Sequence, residues 1–254
     1  MQKIVAMLRV KDGILFVHDW LNNMNKLVDE IVVVDNASTD GTYEVLEANS
    51  KVVDIVITEG FDEGRDKNLL YGMARKRKPD WLLWLDVDEV FEEAFNREAI
   101  LRLTDNTRVN RYFFRRFHFI DKEHYNAKWY WIKYISAPDR VLWREQKDGY
   151  FENIKFNNGL VKGIKGKTKI SYYRLKHLGY IYKNEVSKKI ANYMSIDSTL
   201  EKTYQSMRFD GDRKAKWKEC TDSPTGILLL NYFLDIVYII TSGFNKVNKF
   251  LRNK

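Results

Sequence analysis

At 254 residues, 44% hydrophobic and 31% charged, the chain is long and apolar enough to bury a substantial core, which excludes wholesale disorder. Its 43 Lys and Arg against 35 Asp and Glu leave a formal charge of +8, which favours anionic partners such as phosphates, nucleic acid or an acidic membrane leaflet. Cys220 is the only cysteine, so no intramolecular disulfide can form, as suits a reducing compartment.

Met1 to Val10 reads as a short strand carrying Lys3 and Arg9, without the apolar stretch and cleavage site of a signal peptide; residence in the cytoplasm is expected. Ile14 to Leu21 has helical spacing, and Glu30 to Asp35 is a β-branched run that ends in a carboxylate. Ser38-Thr39-Asp40-Gly41-Thr42 has the chemistry of a turn that caps a helix over Thr42 to Asn49. Val52 to Thr58 predicts a further strand and Lys67 to Lys76 a further helix. Trp81 to Leu85 is continuously apolar, as a strand buried on both faces should be, and it too leads into acid, at Asp86. Strands alternating with helices predict an α/β fold, a mostly parallel sheet flanked by helices, whose ligands sit beyond the carboxyl ends of the strands. Asp35 and Asp86 both fall there.

The later segments differ. Arg111 to Phe119 and Trp129 to Ile135 read as aromatic, charged strands of an antiparallel extension, and Asn184 to Tyr204 as a helix. Gly159 to Lys169, with four Lys and three Gly, reads as an exposed loop. Gly226 to Phe244 is apolar but contains Asn231 and Asp235, and basic residues follow it at Lys246, Lys249, Arg252 and Lys254. The acid within the apolar run argues against a membrane-spanning helix. An interfacial amphipathic helix fits, as does a helix docked on the core or on a second subunit.

Two constellations carry chemistry. In Asp86-Val87-Asp88-Glu89, two carboxylates flank one residue just after a buried strand. Such a pair can share Mg2+ or Mn2+ and leave coordination positions open for phosphate oxygens of a departing diphosphate. In Val32-Val33-Val34-Asp35-Asn36-Ala37-Ser38-Thr39-Asp40-Gly41-Thr42, a strand-end carboxylate can accept hydrogen bonds from a base or ribose. The aromatic and basic run Arg111 to Phe119 could stack nucleobases, but its alternation better fits one buried and one solvated strand face.

Residues 31 to 42 resemble the opening signature of the family 2 glycosyltransferases of the GT-A fold: a hydrophobic strand, then Asp-x-x-Ser-x-Asp-Gly-Thr. The likeness continues through Met7-Leu8-Arg9-Val10-Lys11, Gly64-Arg65 with Lys67-Asn68, Asp80-Trp81 and Asp86-x-Asp88, in order, over residues 3 to 90. Asp-Glu after the strand and a late His-x-Gly-Tyr resemble the branch containing lipopolysaccharide-core glucosyltransferases. The resemblance implies a GT-A domain over 1–222, with 1–90 its nucleotide-binding half and 91–222 its acceptor half, and an amphipathic basic tail over 223–254. It implies that Asp35 contacts the base, Leu8 and Arg9 line its pocket, Arg65 helps hold the nucleotide, Asp86 meets ribose or metal, and Asp88 ligates the metal. The family usually has Asn-Glu where this chain has Asp12-Gly13.

Leu175-Lys176-His177-Leu178-Gly179-Tyr180 resembles the family's late His segment, which makes His177 a further metal ligand; His18, His118 and His124 have no such context and read as structural. The family's base is a carboxylate after the metal motif. Here Glu152 is chosen, with Asp148 behind it, from the stretch that also holds Arg140, a residue placed to steady a diphosphate or to charge a strand face. The implied reaction is an inverting transfer from a nucleotide-sugar, UDP-linked by resemblance, to a cell-surface glycan or glycolipid precursor, with peripheral membrane contact through the tail and no nucleic-acid partner. A sugar nucleotidyltransferase would share the acids and metal, but Ala6 to Gly13 lacks its Gly-rich basic signature. A noncatalytic nucleic-acid-binding protein would account for the charge but not for the ordered carboxylates.

Overall fold

The computed structural model describes residues 2–126, 141–155, 159–184, 186–187, 191, 194 and 214–218. The expected strand Trp129 to Ile135, Arg140, most of the helix expected over Asn184 to Tyr204, and the 223–254 tail lie outside the described residues. Among the described residues no helix is long and apolar enough to cross a membrane.

The first half alternates as its periodicity predicts: β1 (Ile4–Val10), α1 (Ile14–Met24), β2 (Glu30–Asp35), α2 (Thr42–Glu47), β3 (Val52–Ile57), α3 (Glu63–Lys76) and β4 (Trp81–Trp84). Then follow β5 (Glu89–Phe91), α4 (Arg97–Thr104), β6 (Val109–His118), β7 (His124–Asn126), β8 (Val141–Arg144), β9 (Lys167–His177) and β10 (Lys214–Lys216). Eight strands form one sheet in the order β3-β2-β1-β4-β8-β6-β9-β5, while β10 and β7 pair separately. The β3-β2-β1-β4 block is parallel, β8 joins it antiparallel to β4, and β6 and β9 are parallel to each other. The chain is therefore a mixed α/β fold with a parallel core and an antiparallel extension.

Strand alternation explains how helices cover both faces. Ile4, Ala6, Leu8 and Val10 of β1, with Ile31 and Val33 of β2 and Trp81 and Leu83 of β4, pack with Val17, Trp20, Leu21 and Met24 of α1 and Ile100 of α4. The intervening Val5, Met7, Val32, Val34, Leu82 and Trp84 meet Leu70, Tyr71, Met73 and Ala74 of α3 on the opposite face. All of these strand residues are at most 4% exposed, as a sheet covered on both sides requires.

Two expectations change in detail. Helix α3 begins at Glu63, four residues before Lys67, because Asp62 caps it by accepting a 2.9 Å hydrogen bond from the Arg65 amide. The Gly159 to Lys169 segment is not simply an exposed loop: Val161 is buried, and Lys167 to Lys169 open β9. Gly163 there has φ 77°, and a Cβ on it would overlap the Asp148 carbonyl oxygen. That glycine is required where the segment crosses Asp148.

Candidate active site

The site forms at the carboxyl end of the parallel block. Val10 is level with Asp35, and Met7 with Trp84, so the turn after β4 and the end of β2 flank the end of β1. A Cβ on Gly13 would lie 2.9 Å from a Val10 methyl and 3.0 Å from a Val87 methyl, which shows how closely the Asp86–Asp88 turn abuts the entrance to α1.

The string after β2 has a structural task that its sequence did not announce. The N-cap position of α1 is Gly13, which has no side chain to satisfy the helix's first amides. Side chains across the loop supply the acceptors. Ser38 Oγ takes the Asp12 amide at 2.8 Å, Thr42 Oγ1 takes that of Gly13 at 2.8 Å, and Asp40 Oδ2 takes that of Ile14 at 2.9 Å. In return Asp12 Oδ1 accepts from the Thr39 amide at 2.8 Å. The departure Asp12-Gly13 is thus a loop clasp, with Asp12 itself at φ 47°. Ala37, next to the clasp, is at φ 56°, a conformation that a residue with a Cβ adopts only when its surroundings impose it.

Asp35 is fully buried. Its Oδ1 accepts from the Ser38 amide at 2.6 Å, while Oδ2 is buried with no hydrogen-bond partner. Burial pushes its pKa above the ordinary value of 3.8; the Ser38 hydrogen bonds oppose this, and the nearby Asp12 and Asp40 charges add to it. A buried acceptor without a donor is costly to maintain, and a ligand N–H or O–H reaching Oδ2 would relieve it.

Near the end of β1, Arg9 falls in the alternation of Val5 and Met7, on the α3 side of the sheet. Its guanidinium lies 3.5 Å from Glu63, 3.7 Å from Asp66 and 4.7 Å from the centre of the Phe61 ring. Asp66 is fully buried and gathers Asn36 Nδ2 at 2.7 Å and Arg65 Nε at 2.8 Å. Arg65 also donates to the carbonyls of Glu59 and Gly60, both at 3.0 Å, so its donors hold the loop between β3 and α3. Leu8, expected to line the base pocket, is 0% exposed in the α1-facing core; its side chain supports the strand rather than facing the cleft.

The second centre is the turn after β4. Asp86 donates its amide to Glu89 Oε2 at 3.1 Å, and fully buried Glu89 receives Arg116 from β6 at 3.0 Å; this acid fixes the turn. Asp88 and His177 are 6% and 5% exposed, with Oδ2 and Nε2 3.4 Å apart. The Leu178 amide donates to the Asp88 carbonyl at 2.7 Å, tying the two segments together. Gly179 explains the His-x-Gly pattern: a Cβ there would stand 2.2 Å from Asp88 Oδ2 and 3.2 Å from His177 Nε2. Only glycine leaves this pocket open.

His118, at the end of β6, packs behind the pair, with its Nδ1 2.8 Å from His177 Nδ1. The Tyr180 ring closes the cluster, 5.0 Å from His177 and 5.5 Å from His118. In sequence His118 reads as structural, because its partner is 59 residues away and the two share only their place at the ends of aromatic strands.

The chosen base residues divide. Asn68 Nδ2 donates to the Phe151 carbonyl at 3.0 Å, and its Oδ1 accepts the Phe151 amide at 3.1 Å, clamping this segment to α3. A Cβ on Gly64 would meet the Ile154 amide nitrogen at 2.6 Å, so Gly64 and Asn68 are docking points for residues 151 to 155. Glu152 lies in this segment near the start of α3, its carboxylate 3.6 Å from Lys162 Nζ and 43% exposed. Asp148 lies toward the other end of α3. It is bound to Lys165 at 2.5 Å, and the hydrogen bond and charge of that lysine hold its carboxyl below the usual range. Its neighbour Gly149 packs against the Tyr71 hydroxyl, so the fold does not bring Asp148 to Asp88.

Among the described residues no cluster of three or more His, Cys, Asp or Glu surrounds a common point. Asp88 and His177 nonetheless fit a small divalent ion whose remaining ligands are phosphate oxygens and water, the usual way Mg2+ is held beside a nucleotide. They are close enough to reach one ion, and Gly179 keeps the space beside them clear.

The architecture is of the GT-A type. TarS of Staphylococcus aureus superposes with a TM-score of 0.51 at 13% identity, over 83% of this chain and 44% of that one. Residues 4–164 match the model of glycosyl transferase family 2, and the chain belongs to that family. A mannosyltransferase from Pyrobaculum calidifontis, solved with GDP-Man and Mn2+, superposes with a TM-score of 0.44 at 11% identity over 84% of this chain and 66% of that one. Uncharacterized proteins of Mycobacterium tuberculosis and Mycobacterium bovis are 29% identical over 110 residues, 40% of this chain. The match spans about a quarter of the length of these relatives, 27%.

Proposed function

We propose that the protein is a metal-dependent glycosyltransferase that moves a sugar from a nucleotide-sugar, UDP-linked by its signature, to a glycan or glycolipid acceptor with inversion. The observation that carries this reading is that the family 2 chain brings the buried acceptor Asp35 and the Asp88–His177 pair to one edge of its parallel sheet. Asp35 Oδ2 accepts from the base, and Arg9, at the end of the neighbouring strand β1, lines the nucleotide pocket from the α3 side. Arg65 acts through the loop it holds, and Asp86 meets the ribose or the metal. Asp88 and His177 hold Mn2+ or Mg2+, which when bound offsets charge developing on the diphosphate. Glu152 takes the acceptor proton, since it is the carboxylate of its stretch docked near the start of α3. Asp88-Glu89 after the strand and the His-x-Gly-Tyr segment support a place beside the lipopolysaccharide-core glucosyltransferases. Membrane contact through the basic tail and a cytoplasmic site of action complete the proposal.

The test is release of nucleoside diphosphate from UDP-, GDP- and CDP-sugars in the presence of a glycolipid extract, with Mn2+ or with EDTA. The reading expects release from one nucleotide class, abolished by EDTA and reduced at least about 100-fold in Glu152→Gln, the scale on which a general base contributes. Intact donors under every condition, with folded protein, would contradict it.

A further inference from the structure

We infer that His118 is a positioning residue that sets the tautomer of His177 and so makes its Nε2 a metal ligand; this rests on the reading of Asp88 and His177 as the metal pair. The two histidines end β6 and β9, parallel strands in which His118 and His177 are partners in register. The Phe119 amide donates to the His177 carbonyl at 2.9 Å, so backbone pairing continues to the level of the rings. The rings meet edge to face, with centroids 4.8 Å apart and planes at 89°, and both residues are 5% exposed. Their contact is an Nδ1 to Nδ1 hydrogen bond of 2.8 Å.

One proton serves that bond, so one ring donates and the other accepts. A neutral imidazole carries a single N–H, and the nitrogen that bears it is decided by the bond the other nitrogen makes. His177 Nε2 faces Asp88 Oδ2 at 3.4 Å. To present a lone pair there, His177 must carry its proton on Nδ1 and donate it to His118. His118 must then be the Nε2–H tautomer with Nδ1 accepting. In the reverse arrangement the His177 proton sits on Nε2, in the position the ion would occupy. The bond fixes the His177 ring plane, and with His118 Nδ1 as its acceptor it holds the ligating tautomer, the service that outer partners give to metal-bound histidines.

The test is Mn2+ binding, read by electron paramagnetic resonance on the full chain with saturating UDP. Wild type, His118→Phe, His118→Asn and Asp88→Ala are compared, with thermal melting of each. Phe keeps the aromatic packing on His177 and Tyr180 but cannot accept; Asn places an amide oxygen near the lost Nδ1. His118→Phe should weaken Mn2+ binding about 10-fold or more, the usual cost of removing such a partner. His118→Asn should recover most of the affinity, and Asp88→Ala should lose it. Wild-type affinity in His118→Phe alongside loss in Asp88→Ala would overturn this inference and leave the metal pair standing; no Mn2+ binding by wild type would overturn both. A second readout needs no variant to fold for its own sake. Long-range proton–nitrogen-15 spectra of wild type with UDP and Mg2+ should show His177 protonated at Nδ1 and His118 at Nε2. A proton on His118 Nδ1 instead would overturn the assignment.

Discussion

Asp35 shows how one residue can be read from its surroundings. It closes a strand of consecutive β-branched residues, lies fully buried, and leaves Oδ2 without a donor. Burial raises its pKa, so the carboxyl holds its proton more tightly than a solvated aspartate does. The sign for folding follows from linkage. The folded chain binds this proton more readily than the unfolded one, so Asp35 favours folding as pH falls and disfavours it above its raised pKa. For a ligand that donates to Oδ2 the sign is opposite, because ionised Asp35 is the better acceptor. UDP affinity should decline as pH is lowered through the raised pKa of Asp35, and Asp35→Asn should bind more weakly with a flatter profile. Calorimetric titration of both proteins on either side of that pKa isolates the Asp35 contribution from that of the phosphate; parallel profiles would reject it.

At the scale of elements, the loop after β2 holds the start of α1. Asp40 satisfies the amides of Ile14 and Thr42, at 2.9 and 3.1 Å, and accepts from the Thr42 hydroxyl. Burial alone would raise its pKa, but these hydrogen bonds outweigh it and the net shift is downward. Asp40→Ala should cost about 1–2 kcal/mol, the loss typical of a helix cap, measured as a lowered urea midpoint with an unchanged slope. This architecture was partly legible. β1, β2 and β4 announce themselves as short apolar runs, and the Asp-x-x-Ser-x-Asp-Gly-Thr string announced a turn with capping chemistry. Asp40 accepts the Thr42 amide at the start of α2, as that string announced; its second task was not legible, because the start of α1 lies more than twenty residues earlier and no local pattern links the two. β9 was obscured because Lys167 and Lys169 follow three glycines and look solvated, although Ile170, Tyr173 and Leu175 are buried. β5 has three residues inside an acidic stretch, too few to show a period.

At the scale of the molecule, a covered parallel sheet carries chemistry along one edge, while an antiparallel extension delivers His118 and His177 to the turn after β4. That extension is held by a buried ion pair. Arg174 donates to Glu92 through Nε at 2.9 Å, Nη2 at 2.6 Å and its amide at 2.8 Å, and stacks 3.9 Å from the Trp217 ring centre. Arg174→Ala should destabilise the protein by about 3–5 kcal/mol, because Glu92 keeps a buried charge without its main partner. Arg75→Ala, which breaks an ion pair whose arginine is 40% exposed, should cost about 0–1 kcal/mol. Denaturant titration of the two checks the contrast. Sequence order could place Asp35, Asp86 and Asp88 at strand ends, but Gly179 beside Asp88 and His118 behind His177 required the β5–β9 and β6–β9 pairings, which connect distant segments.

The most direct measurement of the central claim is the melting temperature with UDP, GDP and CDP, each with and without Mn2+, on wild type and Asp88→Ala. A ligand that binds the folded state alone raises the midpoint by mass action. The account predicts that UDP with Mn2+ raises it in wild type, that UDP without metal does so much less, and that Asp88→Ala loses the metal-dependent part. A wild-type chain whose melting is indifferent to every nucleotide with every metal would contradict the donor site described above.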